Sequence, residues 1–273
     1  MPEGHTVHRL ARLQRRRFVG TPVAVSSPQG RFATDAEIVD GRVLEAVEAH
    51  GKHLFQVYET DLVVHVHLGL WGRFPNRRVP APEPRGQVRM RIEGPTHYAD
   101  LRGPSACALF TDVEVKALRA RLGPDPLRAD ADPEEAWRRI SRSRAPLATL
   151  LMDQSVIAGL GNVFRAETLF RCRIPPLLPG RELGRERFDT LWADLTDMLR
   201  AGERQGRIET VRGPSGDQPD GGGARGTDHG NSSCAGSVYA YRRTGRPCLV
   251  CGTPIARTTH AARNLFWCPT CQA

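Results

Sequence analysis

The stretch Cys248-Leu-Val-Cys251, followed after sixteen residues by Cys268-Pro-Thr-Cys271, carries the most specific pattern in the chain. Zinc prefers four soft ligands in a tetrahedron, and two facing Cys-x-x-Cys turns supply them. The spacer is long enough for a β-hairpin, so the four cysteines predict a zinc finger that holds one structural zinc ion. Four thiolates leave no open position on the metal, which argues against a catalytic zinc. Four unrelated cysteines are the alternative, which the regular spacing disfavours.

The region around this finger is strongly basic. Residues 239–273 contain five arginines, Arg263 among them, and no acidic residue. A hairpin that carries arginines without acids suits phosphate contact or insertion into a groove. The whole chain has a formal net charge of +9. Nucleic acid is therefore the simplest polyanionic partner.

The composition of the 273-residue chain is that of a soluble globular protein, with 40% hydrophobic and 25% charged residues. No stretch approaches the roughly 18 consecutive apolar residues of a membrane helix, so we expect no membrane association. The polar start MPEGHTVHRL lacks a signal-peptide core, and the cysteines are too few for a disulfide scaffold. We therefore expect a protein of a reducing compartment, the cytoplasm.

The first 122 residues predict one amphipathic helix and a series of short strands. Helical spacing of Val7, Leu10 and Ala11 indicates a helix over residues 5–17. Alternating runs between turn residues predict strands at 21–26, 42–49, 53–58, 62–67, 88–93 and 96–99. Short strands at this spacing are typical of a sandwich or barrel of about 110 residues.

Beyond a proline-rich segment the pattern becomes helical. Residues 123–133 predict a linker, and helices are predicted at 134–142, 147–154, 163–169 and 185–201. Glycines interrupt the pattern before the third helix, where Asn162 is a candidate N-cap. Residues 211–236 are rich in Gly, Ser, Asp and Pro and predict a flexible insert. The predicted domains are residues 1–122 and 134–273, with the linker between them and the finger at 239–273.

Pro2 and Glu3 are candidates for chemistry at the N-terminus. If Met1 is removed, Pro2 becomes a secondary amine, and an α-amino group has a pKa of about 7.7–8.0. Such an amine is partly neutral and can form an iminium with a carbonyl carbon. Glu3 could exchange protons beside it. Met-Pro-Glu starts are common, however, and on residue chemistry alone an ordinary N-terminus is the favoured alternative.

Lys52 and the segment 65–72 supply further candidates. Only two of the 39 basic residues are lysines. One of them, Lys52, follows Gly51 at the tip of a predicted hairpin. There it could pair with phosphate or be a solvated turn residue. Leu70 and Trp71 lie on a Gly-flanked turn as core plugs or as wedges for a base stack. The nearby strand carries two histidines, for which we favour packing over metal binding. They are His65 and His67.

Taken in their order along the chain, the motifs resemble those of the formamidopyrimidine-DNA glycosylase/endonuclease VIII (Fpg/Nei) family of DNA glycosylase/AP lyases. The resemblance spans essentially the whole chain and rests on Met1-Pro-Glu-Gly4, Gly51-Lys52, Leu68-Gly-Leu-Trp-Gly72, Asp153-Gln154, Gly159-Leu-Gly-Asn162, Arg165-Ala-Glu167 and the finger with Arg263. It implies an α+β fold. An N-terminal β-sandwich with flanking helices would precede a helical helix–two-turn–helix domain that ends in the four-cysteine zinc-finger hairpin.

The resemblance also implies a role for each matching residue. Pro2 would attack the sugar C1′, Glu3 would carry protons, and Lys52 would contact phosphate or assist protonation. In DNA binding, Leu70 with Trp71 would fill the gap left by a flipped base, and Asn162 with Arg263 would grip phosphates. Base loss and β,δ-elimination would leave a one-nucleotide gap. The implied partner is damaged DNA, bound by a monomer with no redox or nucleotide cofactor.

Within the family, the start Pro2-Glu-Gly-His5 and the segment 98–104 (YADLRGP) look more like the endonuclease VIII branch. The formamidopyrimidine branch carries an Arg-Phe pair near there, whereas Gly103 follows Arg102 here. We therefore expect oxidised pyrimidines and abasic sites as substrates, with 8-oxoguanine as the alternative. A non-catalytic zinc-finger protein that binds damaged DNA would keep the finger and lose Pro2 or Glu3, and both are present.

Overall fold

The computed structural model describes residues 2–211 and 238–273. The predicted insert at 211–236 lies outside the described residues, except for Val211. The elements of the first part are α1 Gly4–Phe18, β1 Ala24–Ser26, α2 Ala33–Val39, β2 Leu44–His50, β3 His53–Tyr58, β4 Leu62–His67, β5 Asn76–Arg78, β6 Val88–Glu93, β7 His97–Arg102, β8 Ala106–Phe110 and α3 Asp112–Ala120.

These strands form a β-sandwich, which confirms the expected fold of the first part. One antiparallel sheet has the order β1-β6-β7-β5 and the other β2-β3-β4-β8. Both sheets direct apolar side chains into one core, to which Met90 and Ile92 contribute from the first sheet and Leu54 and Val64 from the second. Side chains that alternate across a strand bury one face of each sheet, and this burial holds the two sheets together.

The described remainder of the chain is mainly helical. Its elements are α4 Pro133–Ser141, α5 Leu147–Leu150, α6 Asn162–Arg171, α7 Arg185–Gln205, β9 Ala256–His260 and β10 Arg263–Trp267. A second apolar core lies among these helices, with Ile140, Phe164 and Phe188 fully buried. The predicted helix at 147–154 ends early because the side chain of Asp153 accepts from the amide of Ser155 (2.8 Å), and this local bond competes with the helix.

The segment predicted as a linker is packed against both parts of the chain. Asp125 is buried, and its carboxylate accepts hydrogen bonds from the amide of Gly51 (2.7 Å) and from Nε2 of His8 (2.7 Å). The interpretation of residues 123–133 as a simple linker therefore missed a buried contact. Helix α1 also contacts α7, where Arg12 pairs with Glu203 (2.5 Å). Among the described residues, no helix is long and apolar enough to cross a bilayer.

Candidate active site

The side chain of Glu3 closes the N-terminus of α6. Its carboxylate accepts hydrogen bonds from the amides of Gly161 (2.9 Å), Val163 (2.9 Å) and Phe164 (3.4 Å). The first amides of a helix lack intrahelical partners and carry partial positive charge, so a carboxylate satisfies them well. The prediction that Asn162 caps this helix was wrong. Gly161 is the N-cap residue, and the capping carboxylate comes from far away in the sequence.

Glu3 is fully buried, and this burial shapes its chemistry. Burial raises the pKa of its carboxyl group, while the charge of Lys52 and the α6 amides lower it, with a raised value as the net result. The acid form of Glu3 therefore persists to a higher pH than in an ordinary glutamate. A buried carboxyl group with a raised pKa, held by fixed donors, is suited to proton transfer. Pro2 precedes it directly and is partly exposed.

Two glycines before α6 allow this close approach. A Cβ atom on Gly161 would lie 2.4 Å from Cδ of Glu3, a distance that no side chain tolerates. Gly159 has a φ of +95°, which disfavours any residue with a Cβ atom. Its carbonyl accepts from the amide of Gly4 (2.8 Å), and its backbone packs against Gly51. The start of α1, the β2–β3 turn and α6 thus meet at one point.

Lys52 reaches this point from the tip of the β2–β3 hairpin, where the sequence predicted it. Its Nζ donates to the carbonyl of Leu160. Gln154 donates to the same carbonyl (3.0 Å) and accepts from the amide of Gly159 (3.1 Å). Burial lowers the pKa of Lys52 to about 8, although the charge of Glu3 opposes the shift. The ammonium group of Lys52 can therefore lose its proton within a range of pH at which enzymes work.

The strand histidines are hydrogen-bonded and packed, as expected. Nε2 of His65 lies 2.9 Å from Nδ1 of His53, and Nδ1 of His67 lies 2.6 Å from Oγ of Ser105. Burial, together with the positive charge of Lys52, lowers the pKa of His67. Among the described residues, the candidate metal cluster consists of cysteines and does not include these rings. The charge of Lys52 nevertheless acts on His67, a proximity that the sequence analysis did not propose.

Leu70 and Trp71 project from the molecule. Their exposed fractions are 60% and 83%, which excludes the interpretation of either as a core plug. The turn that carries them is tight, because the amide of Gly72 donates to the carbonyl of Leu68 (2.9 Å). A Cβ atom on Gly72 would lie 2.2 Å from that carbonyl oxygen. The tip is therefore an apolar projection on a rigid base.

The β9–β10 hairpin brings Arg263 to the N-terminal end of α6. The predicted hairpin is present, and its two-residue turn has left-handed φ values of 48° and 58°. Nδ2 of Asn162 donates to the carbonyl of Asn264 (3.0 Å), the residue after Arg263. His260 at the end of β9 lies 2.7 Å from Oγ1 of Thr149 on α5. Asn162 and Arg263, predicted as phosphate contacts, are thus on adjoining elements.

The four predicted zinc ligands form one cluster. Their sulfur atoms all lie within 4.8 Å of one another, with separations of 3.9 Å for Cys248–Cys271 and 3.5 Å for Cys251–Cys268. A tetrahedral ion with Zn–S bonds of about 2.3 Å places its ligands about 3.8 Å apart, so the cluster fits zinc. Amide donors reach the sulfurs of Cys248 and Cys268 (3.4 Å each) and would stabilise their thiolates. The cluster is consistent with one structural zinc ion.

The sequence analysis assigned no individual role to two residues of α6. Glu167 on α6 accepts from the amides of Tyr239 (2.7 Å), Ala240 (2.9 Å) and Tyr241 (2.8 Å), and so anchors the chain that leads into the finger. Arg165, two residues nearer the N-terminus of α6, is 1% exposed. Both residues belong to the motif Arg165-Ala-Glu167, but charges on a helix predict solvent exposure unless their partners are known.

Three family descriptions match successive parts of the chain. "Formamidopyrimidine-DNA glycosylase N-terminal domain" matches residues 1–107, "Formamidopyrimidine-DNA glycosylase H2TH domain" matches residues 122–212, and "Zinc finger found in FPG and IleRS" matches residues 245–273. The fold is also similar to that of a Lactococcus lactis Fpg in complex with abasic-site DNA. That likeness has a TM-score of 0.79 and 19% identity, and it covers 99% of each chain.

Curated relatives match most or all of the chain. "Endonuclease 8 1" of Mycobacterium tuberculosis is 53% identical over 279 residues, which cover 100% of both chains. "Probable endonuclease 8 2" of Streptomyces coelicolor is 34% identical and covers 100% of this chain and 94% of its own. The formamidopyrimidine-DNA glycosylase of Thermus thermophilus is 34% identical over 86% of this chain and 84% of its own. The chain therefore belongs to the formamidopyrimidine-DNA glycosylase/endonuclease VIII family.

Proposed function

We propose that the protein is a bifunctional DNA glycosylase/AP lyase of base excision repair, which removes oxidised bases and then nicks the strand. The observation that carries the proposal is the buried Glu3 carboxyl group on the α6 amides, directly after Pro2, with Lys52 bound to the same turn. This arrangement provides a proton carrier and a cation beside a terminal amine. Glycosylase and lyase chemistry through an amine needs these three groups.

The reaction would use the nitrogen of Pro2 after Met1 has been removed. The nitrogen attacks C1′ of the damaged nucleotide, and the C1′–N bond to the base breaks as the base leaves with a proton. Opening of the sugar ring gives an iminium between Pro2 and C1′, which makes the C2′ protons acidic. Loss of one such proton breaks the C3′–O bond, and a second elimination breaks the C5′–O bond. Water then hydrolyses the iminium and frees Pro2.

Glu3 and Lys52 would manage protons and charge in these steps. The raised pKa of Glu3 favours its acid form, which can donate a proton as the sugar ring opens. The resulting carboxylate is held by three amides and can later accept a proton. Lys52 would contact phosphate or assist protonation near the lesion. Because its pKa is lowered to about 8, it can also release a proton more readily than an ordinary lysine.

Damaged DNA would lie between the β-sandwich and the helical region. The exposed pair Leu70 and Trp71 would fill the space left by the flipped nucleotide. Asn162 and Arg263 would grip phosphates, and the net charge of +9 would support binding to any sequence.

In keeping with these roles, we propose that the two domains are residues 1–122 and 134–273. We also propose that the protein acts as a monomer in the bacterial cytoplasm.

Oxidised pyrimidines are the proposed preference, alongside abasic sites. The relative that is 53% identical is named "Endonuclease 8 1". Gly103 follows Arg102 where the formamidopyrimidine branch carries a duplex-filling Arg-Phe pair. A cleavage panel tests this preference with thymine glycol, dihydrouracil, 8-oxoguanine and abasic oligonucleotides, in duplex and single-stranded form. Faster cleavage of 8-oxoguanine than of both pyrimidine lesions would favour the formamidopyrimidine-type alternative.

Borohydride trapping on abasic-site DNA tests the mechanism, because the chain offers few amines. Apart from the N-terminal amine, Lys52 and Lys116 carry the only amino groups in the sequence. Mass spectrometry of the trapped peptide should locate the DNA on Pro2 in protein from which Met1 has been removed. Pro2→Gly should reduce trapping, because a primary amine replaces the ring. Glu3→Gln should abolish removal of oxidised bases.

The matched control is Lys116→Ala, which removes an exposed lysine paired with Asp112 and should leave trapping unchanged. An adduct on Lys52 would contradict the assignment of Pro2 as the nucleophile. A fully processed protein that binds DNA and yields no adduct would instead be a damage-binding protein without lyase activity.

A further inference from the structure

Arg165 carries a positive charge into the interior of the protein. Arg165 is 1% exposed, and its Nε is buried without a hydrogen-bond partner among the described residues. Nη1 donates to the carbonyl of Ala148 (3.1 Å). Nη2 donates to the carbonyl of Asn264 (2.9 Å) and to Oδ1 of Asn162. All of these partners are neutral, so the hydrogen bonds leave the charge itself uncompensated.

Nearby charges do not neutralise this guanidinium group. Burial lowers the pKa of Arg165 to about 10, the charge of Arg263 lowers it further, and that of Glu3 opposes the shift. Arg165 therefore remains charged at neutral pH. The carboxylate of Glu3 is held by the amides of α6 and also acts on Lys52. A buried charge without an ion-pair partner is costly, and apolar replacement of buried ions is often neutral or stabilising. Stability of the free protein thus does not explain Arg165.

The position of Arg165 suggests what compensates the charge. Its Nη2 contacts Asn162 directly and reaches the carbonyl of Asn264, which follows Arg263 in β10. The guanidinium group therefore contacts one residue assigned to phosphate binding and the strand that carries the other. Asn162 and Arg165 also share the carbonyl of Asn264 as an acceptor. If a phosphate draws the amide of Asn162 away, Arg165 can keep that carbonyl satisfied.

We propose that Arg165 is a positioning residue whose buried charge attracts the DNA phosphate gripped by Asn162 and Arg263, and that this phosphate is its missing counter-ion. The inference rests on the proposed function, since it assumes that these two residues bind DNA. Arg165 acts through its neighbours: it holds the carboxamide oxygen of Asn162, ties the hairpin to α5 and α6, and adds the attraction of its own charge. A charge in this low-dielectric position is screened less by salt than one on the surface.

The test separates charge from hydrogen bonding at one position. Arg165→Lys keeps the charge and loses the planar fork, whereas Arg165→Gln keeps a donor and loses the charge. We expect Arg165→Gln to weaken binding to a duplex with a tetrahydrofuran abasic analogue by about tenfold or more, a loss of about 1.4 kcal/mol. Arg165→Lys should stay within a few-fold of wild type. Melting temperature and zinc content are measured for each variant.

The matched control is Arg187→Gln, which removes the same charge from an exposed residue that bonds to the carbonyl of Arg173 beyond the far end of α6. It should bind the duplex almost as wild type does. A purely structural role predicts a different result at position 165: binding would follow the melting temperature, and Lys would rescue no better than Gln. That result would overturn the inference.

A second measurement applies altered DNA to the wild type and to Arg165→Gln, so that each protein is compared with itself on unmodified DNA. Single phosphates near the lesion are replaced in turn by neutral methylphosphonates. At one linkage the wild type should lose more affinity than Arg165→Gln does, because the variant has already lost that interaction. Equal losses at every linkage would contradict the inference and leave the proposed function intact. Failure of the wild-type protein to bind the abasic duplex would contradict both.

Discussion

Lys52 shows how one side chain can set the pH range of a site. An ordinary lysine has a pKa of about 10.4 and stays charged throughout the physiological range. Burial beneath the 159–161 turn lowers the pKa of Lys52 to about 8. Its cationic form therefore dominates below pH 8 and declines above it. Any step that uses the ammonium group to hold phosphate or donate a proton should follow this decline.

We therefore expect kcat/KM on abasic-site DNA to fall as the pH rises above about 8. Lys52→Arg should move this alkaline limb upward by more than one pH unit, because arginine keeps its proton. The measurement is a pH–rate profile from pH 6 to 10 at constant ionic strength. Lys116→Arg is the control, since this lysine is exposed on α3 and paired with Asp112. An identical limb in Lys52→Arg would show that another group titrates.

At the scale of the element, helix α6 depends on a cap that its own sequence does not contain. Glu3 supplies the carboxylate, and Gly161 leaves the space that this carboxylate occupies. The backbone of Gly161 is extended (φ −130°), a conformation that any residue can adopt. Glycine is therefore needed here for space rather than for backbone freedom. This distinction makes the consequence of a substitution specific.

Gly161→Ala should displace the Glu3 carboxyl group and reduce glycosylase activity by about a hundredfold, because a shift of about 1 Å in a catalytic group has effects of this size. Measurement of kcat on oxidised-base and abasic duplexes checks this, with zinc content as a test of folding. The control is Gly184→Ala, at the N-cap of α7. Its φ of +75° and ψ of 148° disfavour a Cβ atom, which predicts a loss of stability of about 1–3 kcal/mol with kcat unchanged. Equal kcat losses in the two variants would argue against the spatial role of Gly161.

The same elements show what local sequence patterns can predict. The predicted strands at 53–58 and 62–67 coincide with β3 and β4, because alternation over six residues is a local signal. The hairpin between the zinc ligands was predicted from the length of the spacer between the two cysteine pairs, which is also a local signal. Helix α3 was missed, although Thr111 and Glu114 form a capping box that marks its start. Strand β5 was missed because its three residues, Asn-Arg-Arg, carry no apolar alternation.

The site residues show the same difference between local and remote contacts. The positions of Lys52 at a hairpin tip and of Arg263 near a finger follow from neighbouring residues. The contact of Glu3 with α6 joins residues 158 positions apart, and no periodicity encodes it. Asp125 was interpreted as one acid of a linker, since its partners are also remote in sequence. Tertiary contacts of this kind decide which polar residues are buried.

In the whole molecule, Asp125 joins three parts of the chain that carry the site. It binds His8 on α1, the amide of Gly51 beside Lys52, and the amide of Leu127 in its own segment (2.9 Å). Burial raises the pKa of its carboxyl group, but the hydrogen bonds and the charge of His8 outweigh that effect, so the net pKa is lowered. A carboxylate with a lowered pKa stabilises the fold above its unfolded pKa of about 3.9 and loses that contribution as the pH falls through the folded value.

Asp125→Ala should therefore lower the free energy of unfolding at pH 7 by about 2–4 kcal/mol, because it leaves a buried amide and an imidazole without their acceptor. Urea unfolding measures the change.

Asp132→Ala is the matched control. This aspartate precedes α4, is exposed, and caps the helix by accepting from the amide of Glu134. Its loss should therefore cost about 1 kcal/mol. The difference between the two variants should shrink as the pH falls below about 3.9 and through the lowered pKa of Asp125, because protonation then removes this carboxylate from the wild type. At permissive temperature Asp125→Ala should also lose activity, since the turn that holds Lys52 is then free to move. Equal stability losses in the two variants would show that this buried aspartate does not join the parts of the molecule.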